Sequence, residues 1–465
     1  MALAGHGRVA RVRAKSAMPR LGMSDEGPLT RRRALALAWP IMLSSVTTPL
    51  IGVVDIAVIG RTGSAHDLGA VALGALIFSF AFWSFGFLRM GTTGLTARAR
   101  GAGDRLESQS VLFRTMLLGA LLGAVLLAAI VPIRELGLFL LSGDRAVEAG
   151  ARAYASARAF GAPAALAVYA CTGWLVGMGR TREVFALQLA LNAANAVFDV
   201  ACVVGLHMGP AGVGAGTALA EWTALAVACV LCWRVIRATG GLSPGATSRA
   251  RLLDGGSMRR LLGVNRDLMV RTVALLVIFA WFTDSGARLG ATTLAANHVL
   301  LQFVTVTAFV LDAFAMTAES EVGAALGEGS WLRLRRAVRV TSELAVVAAL
   351  LLSAGMALGG GVLLDALTDV QSVRAEARRF LPFAAVVPVL GVASWQLDGI
   401  FIGATRSAEL RNAALLSTTA YVACDLALRP LGALGVWLAL LTSYVWRAAS
   451  LARYYPRIER EARRE

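Results

Sequence analysis

The sequence predicts an all-α polytopic membrane protein with twelve transmembrane helices in two six-helix bundles related by a pseudo-two-fold axis along the membrane normal. Three observations predict it. Hydrophobic residues make up 57% of the 465 and charged residues 16%, with a mean hydropathy of +0.66, well outside the range of soluble chains. Apolar runs of about 20 residues or more recur along the whole length and leave no room for a separate soluble domain. Two separate segments also repeat at a constant offset of 226 residues.

Taken in order, residues 1–33 are Arg-rich and polar with no apolar core, so they read as a cytoplasmic tail and not as a cleavable signal. Twelve spans follow, at 34–60, 68–97, 109–132, 150–178, 184–206, 211–236, 268–288, 291–325, 337–363, 377–404, 410–429 and 432–455. The first six form an N-terminal lobe, 34–237. A linker, 238–266, contains GGLSPG and a further GG and joins it to a C-terminal lobe, 267–455, with a short tail at 456–465. With the amino terminus inside, the cytoplasmic segments carry about 31 Arg or Lys and the outer loops about nine, which places both termini in the cytoplasm. The net charge of +16 is therefore a topological signal dispersed among connections, and nucleic acid is not an expected partner. Cys171, Cys202, Cys229, Cys232 and Cys424 all sit in apolar segments; the Cys229 and Cys232 pair has redox spacing but no further ligands, so it reads as packing.

The repeat is carried by GWLVGMGRTRE at 173–183 against GIFIGATRSAE at 399–409, and by LRMGTTGLTARARGAG at 88–103 against FAMTAESEVGAALGEG at 314–329. The same offset sets Asp199 on Asp425. An even number of spans per half gives parallel repeats about an axis along the membrane normal, a transporter signature.

Polar residues inside the spans are the functional candidates, because a buried ionisable group is costly in a bilayer. LNAANAVFDV at 191–200 places Asn192, Asn195 and Asp199 on one helical face. A packing cluster of amides is the alternative reading of that stripe. At 1.5 Å per residue, Asp55 and Asp199 each lie about 22 Å from the cytoplasmic end of their spans. Thr217 enters from the outside to nearly the same level, roughly 9 Å below the outer surface. Three spans thus offer polar side chains to one layer of the first lobe.

The chain resembles the multidrug and toxic compound extrusion (MATE) family of secondary transporters, in its DinF-like branch. The resemblance runs from about residue 34 to 455. It rests on WPIMLSSVTTPLIGVVDIAVIGRTG at 39–63, LGAVALGALIFSFAFWSFGFLRMGTTG at 68–94, GWLVGMGRTRE at 173–183, TDSGARLGATTLAANHVLLQF at 283–303 and LDGIFIGATRSAELRNA at 397–413. It implies two bundles facing a central cleft, with a cationic or amphiphilic substrate exchanged for protons or sodium ions. It also implies a first-lobe ion site, at Asp55, Asn195, Asp199 and Thr217, with Asn192 beside it. A family asparagine on the fourth helix falls at Thr172, and the acidic second-lobe site of the sodium-coupled branch has no clean match, which favours protons. No cofactor or metal is expected beyond the coupling ion, H+ or Na+. A monomer in the inner (plasma) membrane, contacting small molecules and lipid, is the expected setting.

In the scheme this suggests, burial either leaves Asp55 or Asp199 neutral at rest or lets the two share one proton as an acidic pair. Protonation then either bends the first span at Pro40, Pro49 and Gly52, or leaves Pro49 as a static kink. Glu221 is either a contact for a cationic substrate or a packing group, and Asp425 is expected to pair with Arg429 one turn on. Arg89, Asp312 and Asp398 are expected at an inner gate or snorkelling, with Asp398 and Asp425 as the second-lobe candidates. His298 is expected to be a packed, hydrogen-bonding side chain. Phe87, Met90 and Met316, with Thr172, are candidates for an adaptable substrate lining. Two other classes remain. A flippase for a lipid-linked precursor would need a strongly cationic cavity. An intramembrane enzyme would need partnered His and carboxylate ligands or an activated Ser, and neither DSG at 284–286 nor GGS at 255–257 has a partnered base.

Overall fold

The computed structural model describes residues 29–140 and 144–464, so most of the basic amino-terminal tail lies outside the described residues. The described chain is helical throughout. In the first half run α1 (Arg31–Thr47), α2 (Leu50–Thr62), α3 (Ala65–Ser84), α4 (Phe87–Gly101), α5 (Arg105–Ala128), α6 (Ile130–Leu140), α7 (Arg145–Ala159), α8 (Ala162–Gly177), α9 (Thr181–Asp199) and α10 (Gly209–Ala238). The second half holds α11 (Arg249–Leu252), α12 (Gly255–Arg288), α13 (Ala291–Glu328), α14 (Trp331–Leu367), α15 (Gln371–Gly403), α16 (Ser407–Leu428) and α17 (Ala433–Arg464).

Pairs of short helices make single rods. Ten rods among the described residues are long and apolar enough to cross a membrane, and α7 with α8, bent by 54°, makes an eleventh. With α16, twelve rods alternate in direction. Connections 101–104, 178–180, 239–254, 329–330 and 404–406 therefore share one face with the carboxyl end; it is called the basic face below.

First-lobe rods are broken where the sequence demands it. Pro49 has no N–H to donate and ends α1. Asp199 closes α9 and passes into a π-helical segment, Val200–Gly205. The second lobe is straighter, and α12 begins at Gly255, capped by Asp254, thirteen residues before the expected span start at 268. Its first turns are charged and extend past the apolar window that sequence reading detects. The stretch expected to be a linker, 238–266, is thus partly helix.

The two halves pack alike. α4 on α8 corresponds to α13 on α15, and α9 on α10 to α16 on α17. The halves meet reciprocally at the basic face: a Cβ on Gly101 would overlap the backbone of Ala324, and one on Gly327 the backbone of Arg98. These four positions are related by the 226-residue offset. Ion pairs clamp the same seam, Arg100 to Glu321 at 3.2 Å and Arg98 to Glu461 at 2.7 Å. The lobes are therefore closed together on the basic face.

Candidate ion and substrate sites

In the first lobe the structure brings together Asp55 of α2, Asn195 and Asp199 of α9 and Thr217 of α10, all at most 4% exposed. Asn195 donates its amide N–H to the Thr217 hydroxyl at 3.2 Å, and that hydroxyl donates to the Val213 carbonyl at 2.9 Å. Gly216 allows α10 to approach this closely, since a Cβ there would strike the Asp199 carboxyl. Asp55 and Asp199 face each other within hydrogen-bonding reach. Asp55 Oδ1, both Asp199 oxygens and Asn195 Oδ1 are buried without a donor from the protein. Facing carboxylates can only repel, so a proton between them satisfies an oxygen on each.

Asn192 does not join this cluster. Its amide donates to the Thr47 carbonyl at 3.0 Å, and its own oxygen accepts from Gln188 at 3.0 Å. It satisfies a carbonyl left over at the Pro49 break, so the i, i+3 spacing that put it on the stripe also turned it toward α1. Glu221 is ion-paired with Arg158 of α7 at 2.6 Å, and the guanidinium lies over the Phe78 and Phe82 rings at 5.6 and 5.2 Å. Arg158 was missed in the sequence. An arginine well inside the fourth span was the available signal.

The second lobe builds a different arrangement at the same positions. Asp425 does not pair with Arg429, which is exposed in a short 3₁₀ turn (Arg429–Leu431). It accepts from the Trp281 indole N–H at 2.9 Å and the Ser285 hydroxyl at 3.0 Å. Trp281 stands at the Asp55 position of the repeat, so the carboxyl pair becomes a tryptophan–aspartate bond.

A cavity of about 360 Å³ opens between the start of α4 and helices α12, α13, α15 and α17. Met90 and Met316 line it, with Trp83, Phe279, Phe309 and Trp395 among the apolar walls. Arg89, Asp312 and Asp398 line it too. Asp398 is buried between Arg271 and Arg447, both of which donate to its Oδ2, and Arg89 pairs with Glu319 at 3.3 Å. Near a span end a lone charge usually reaches for water; here each paired acid has an arginine from a neighbouring helix. Phe87 is 5% exposed and packs in the core beside Phe85, while Thr172, half-buried on α8, is outside the lining. His298 is exposed, and its neighbour Asn297 is the buried group, accepting from Trp437 at 3.0 Å. All five cysteines are free thiols, including Cys229 and Cys232.

The profile of the MatE family matches residues 40–201 and 269–420, one segment in each half of the chain. The chain belongs to the MatE family. MatE proteins are transporters and not enzymes, and they cross the membrane many times. DNA damage-inducible protein F of Escherichia coli is 37% identical over 421 residues, covering 90% of this chain and 91% of that protein. Multidrug resistance protein PmpM of Pseudomonas aeruginosa is 28% identical over 327 residues, 69% of this chain and 66% of that one. Among solved structures, a MATE protein in the bent conformation superposes with a TM-score of 0.83 at 18% identity, covering 93% of this chain and 96% of that one. The straight conformation gives 0.80 at 19% identity with the same coverage. At these identities the likeness speaks for the MatE fold. It agrees with twelve helices in two bundles.

Proposed function

We propose that the chain is a secondary active multidrug efflux antiporter of the inner membrane. It exports amphiphilic or cationic compounds in exchange for protons by alternating access, with both termini cytoplasmic. The observation that carries this reading is the Asp55–Asp199 pair, buried face to face with oxygens that no protein donor reaches. A proton binds such a pair and removes the repulsion; its loss restores it, so the packing of α2, α9 and α10 depends on occupancy. The relatives named as multidrug resistance proteins support a small-molecule substrate. The second-lobe cavity, apolar with paired charges, suits amphiphiles. Closure at the basic face gives an outward-open resting state in this reading.

The driving force suffices. One proton moving through about 100 mV gains about 2.3 kcal/mol. Each pH unit adds about 1.4 kcal/mol, together enough for a several-hundredfold gradient of a neutral substrate; for a monovalent cation exchanged for one proton the charge movements cancel and only the pH term, about tenfold per unit, remains.

Arg271 and Arg447 favour one other reading, a flippase for a lipid-linked anionic precursor. The acids of the same cavity count against it, because Asp312, Glu319 and Asp398 stand against Arg89, Arg271 and Arg447 and leave no net cationic surface. Proteoliposomes loaded with a pH-sensitive dye separate the two. Proton movement on addition of ethidium supports the antiporter; lipid scrambling without proton movement overturns it.

A further inference from the structure

Beside the carboxyl pair lies a charge that the coupling scheme does not use. Arg158 is on α7, one turn beyond Tyr154, where α7 and α10 touch so closely that a Cβ on Gly214 would strike the Tyr154 and Arg158 backbone. Its partner Glu221 is one turn beyond Thr217 on α10, so the ion pair sits directly inward of the Asn195–Thr217 bond. Phe78 and Phe82 of α3 wall the guanidinium on its other side. Gly214 and Gly216, two residues apart on α10, meet the Arg158 backbone and the Asp199 carboxyl respectively, which brings the arginine and the carboxyl pair to neighbouring turns of one helix. The titratable and charged groups that face it are Tyr154 on its own helix, Tyr169 on α8, Glu221 on α10, Asp55 on α2 and Asp199 on α9, with Arg89 of α4 behind Tyr169. The repeat puts Ala384 at the Arg158 position, so the second lobe lacks this cation.

We propose that Arg158 sets the ion selectivity of the first lobe. Held beside Asp55 and Asp199 by Glu221 and two aromatic rings, its guanidinium is a resident cation that a sodium ion would have to approach. A proton becomes part of a carboxyl group and needs no separate seat. A metal cation stays a distinct charge and is repelled by the buried guanidinium, a repulsion that Glu221 offsets only in part. This inference rests on Asp55 and Asp199 being the coupling pair.

The test compares the wild type with Arg158→Gln, Glu221→Gln, Arg158→Lys and Asp199→Asn in proteoliposomes, following ethidium transport against pH with and without a sodium gradient. Removing the cation makes the field at the pair more negative, so Arg158→Gln moves the pH midpoint of transport up by about one unit and gains a sodium-driven component. Glu221→Gln leaves the cation uncompensated and moves the midpoint down by about as much. Arg158→Lys keeps the charge and stays near wild type. Midpoints that move in the same direction, or an Arg158→Gln protein that transports but ignores sodium, overturn the proposal. If Arg158→Gln does not fold, Glu221→Gln and Arg158→Lys decide: a downward shift in the first and none in the second is required. Asp199→Asn tells the two failures apart. If it keeps proton-driven transport, the coupling assignment itself fails; if it loses transport while the midpoints do not diverge, only the role of Arg158 fails.

Discussion

The indole N–H of Trp281 donates to Asp425 at 2.9 Å, and 226 residues earlier the same two positions are Asp55 and Asp199. One lobe pairs two acids that need a proton. The other gives its acid a neutral donor and needs none. The proposed function accordingly lodges the coupling in the first lobe, although both lobes keep the carboxyl.

Asp55→Asn and Asp199→Asn each should lower proton-driven efflux at least about tenfold, because an amide cannot lose the proton that the cycle releases. Asp425→Asn should keep most of the activity, since an amide oxygen can still accept from Trp281 and Ser285. Efflux rates normalised to the amount of folded protein check all three. Equal losses in Asp199→Asn and Asp425→Asn would remove the asymmetry.

The Arg271–Asp398–Arg447 cluster predicts a stability effect. Asp398→Ala leaves two arginines buried without their acceptor, a loss of about 3–5 kcal/mol by comparison with other broken buried pairs. Thermal unfolding in detergent should show a clear fall in Tm. Glu343→Ala, removing an exposed partner of Arg31 and Arg339, should change it little.

The repeat was legible in the sequence because the residues that carry it are small ones at helix contacts. Gly173 and Gly399 each leave room for a backbone, of Arg89 and Ala315, at positions that are again 226 apart. Asp55, Asp199 and Thr217 were legible from depth along their spans, since helical rise puts them in one layer, and Asn195 from its place on the same helical stripe as Asp199. Side-chain partners were not legible. Counting residues places Asn192 on the stripe but not on the Thr47 carbonyl, and places Glu221 in the membrane without Arg158. Asp425 had Arg429 one turn away in sequence, yet the helix ends there and Trp281 of α12 arrives instead. Arg271, Asp398 and Arg447 come from three helices far apart in the chain, so no local pattern joins them.

The seam at Gly101 and Gly327 predicts a conformational effect. Gly101→Leu or Gly327→Leu puts a side chain where the other lobe's backbone lies, so closure at the basic face is lost. A cysteine placed by Ser320→Cys, 2% exposed beside Gly177 and Arg100, should then be labelled from that face several times faster than in the parent. Unchanged labelling would show that the lobes do not need this contact to close.

The break in the first rod predicts a milder change. Asn192→Leu removes the donor from the Thr47 carbonyl next to Pro49, a loss of about 1 kcal/mol, so the kink is less well held. Transport should slow about two- to fivefold while the pH dependence is kept. A change in the pH midpoint would instead place Asn192 in the ion site.

The central claim is that protons bound between Asp55 and Asp199 drive export. It is tested most directly by imposing a pH gradient and a sodium gradient separately on wild-type proteoliposomes, with the voltage clamped by potassium and valinomycin, and following substrate accumulation. The account predicts accumulation with the pH gradient alone and none with sodium alone. Accumulation with sodium alone, or with neither, would contradict it.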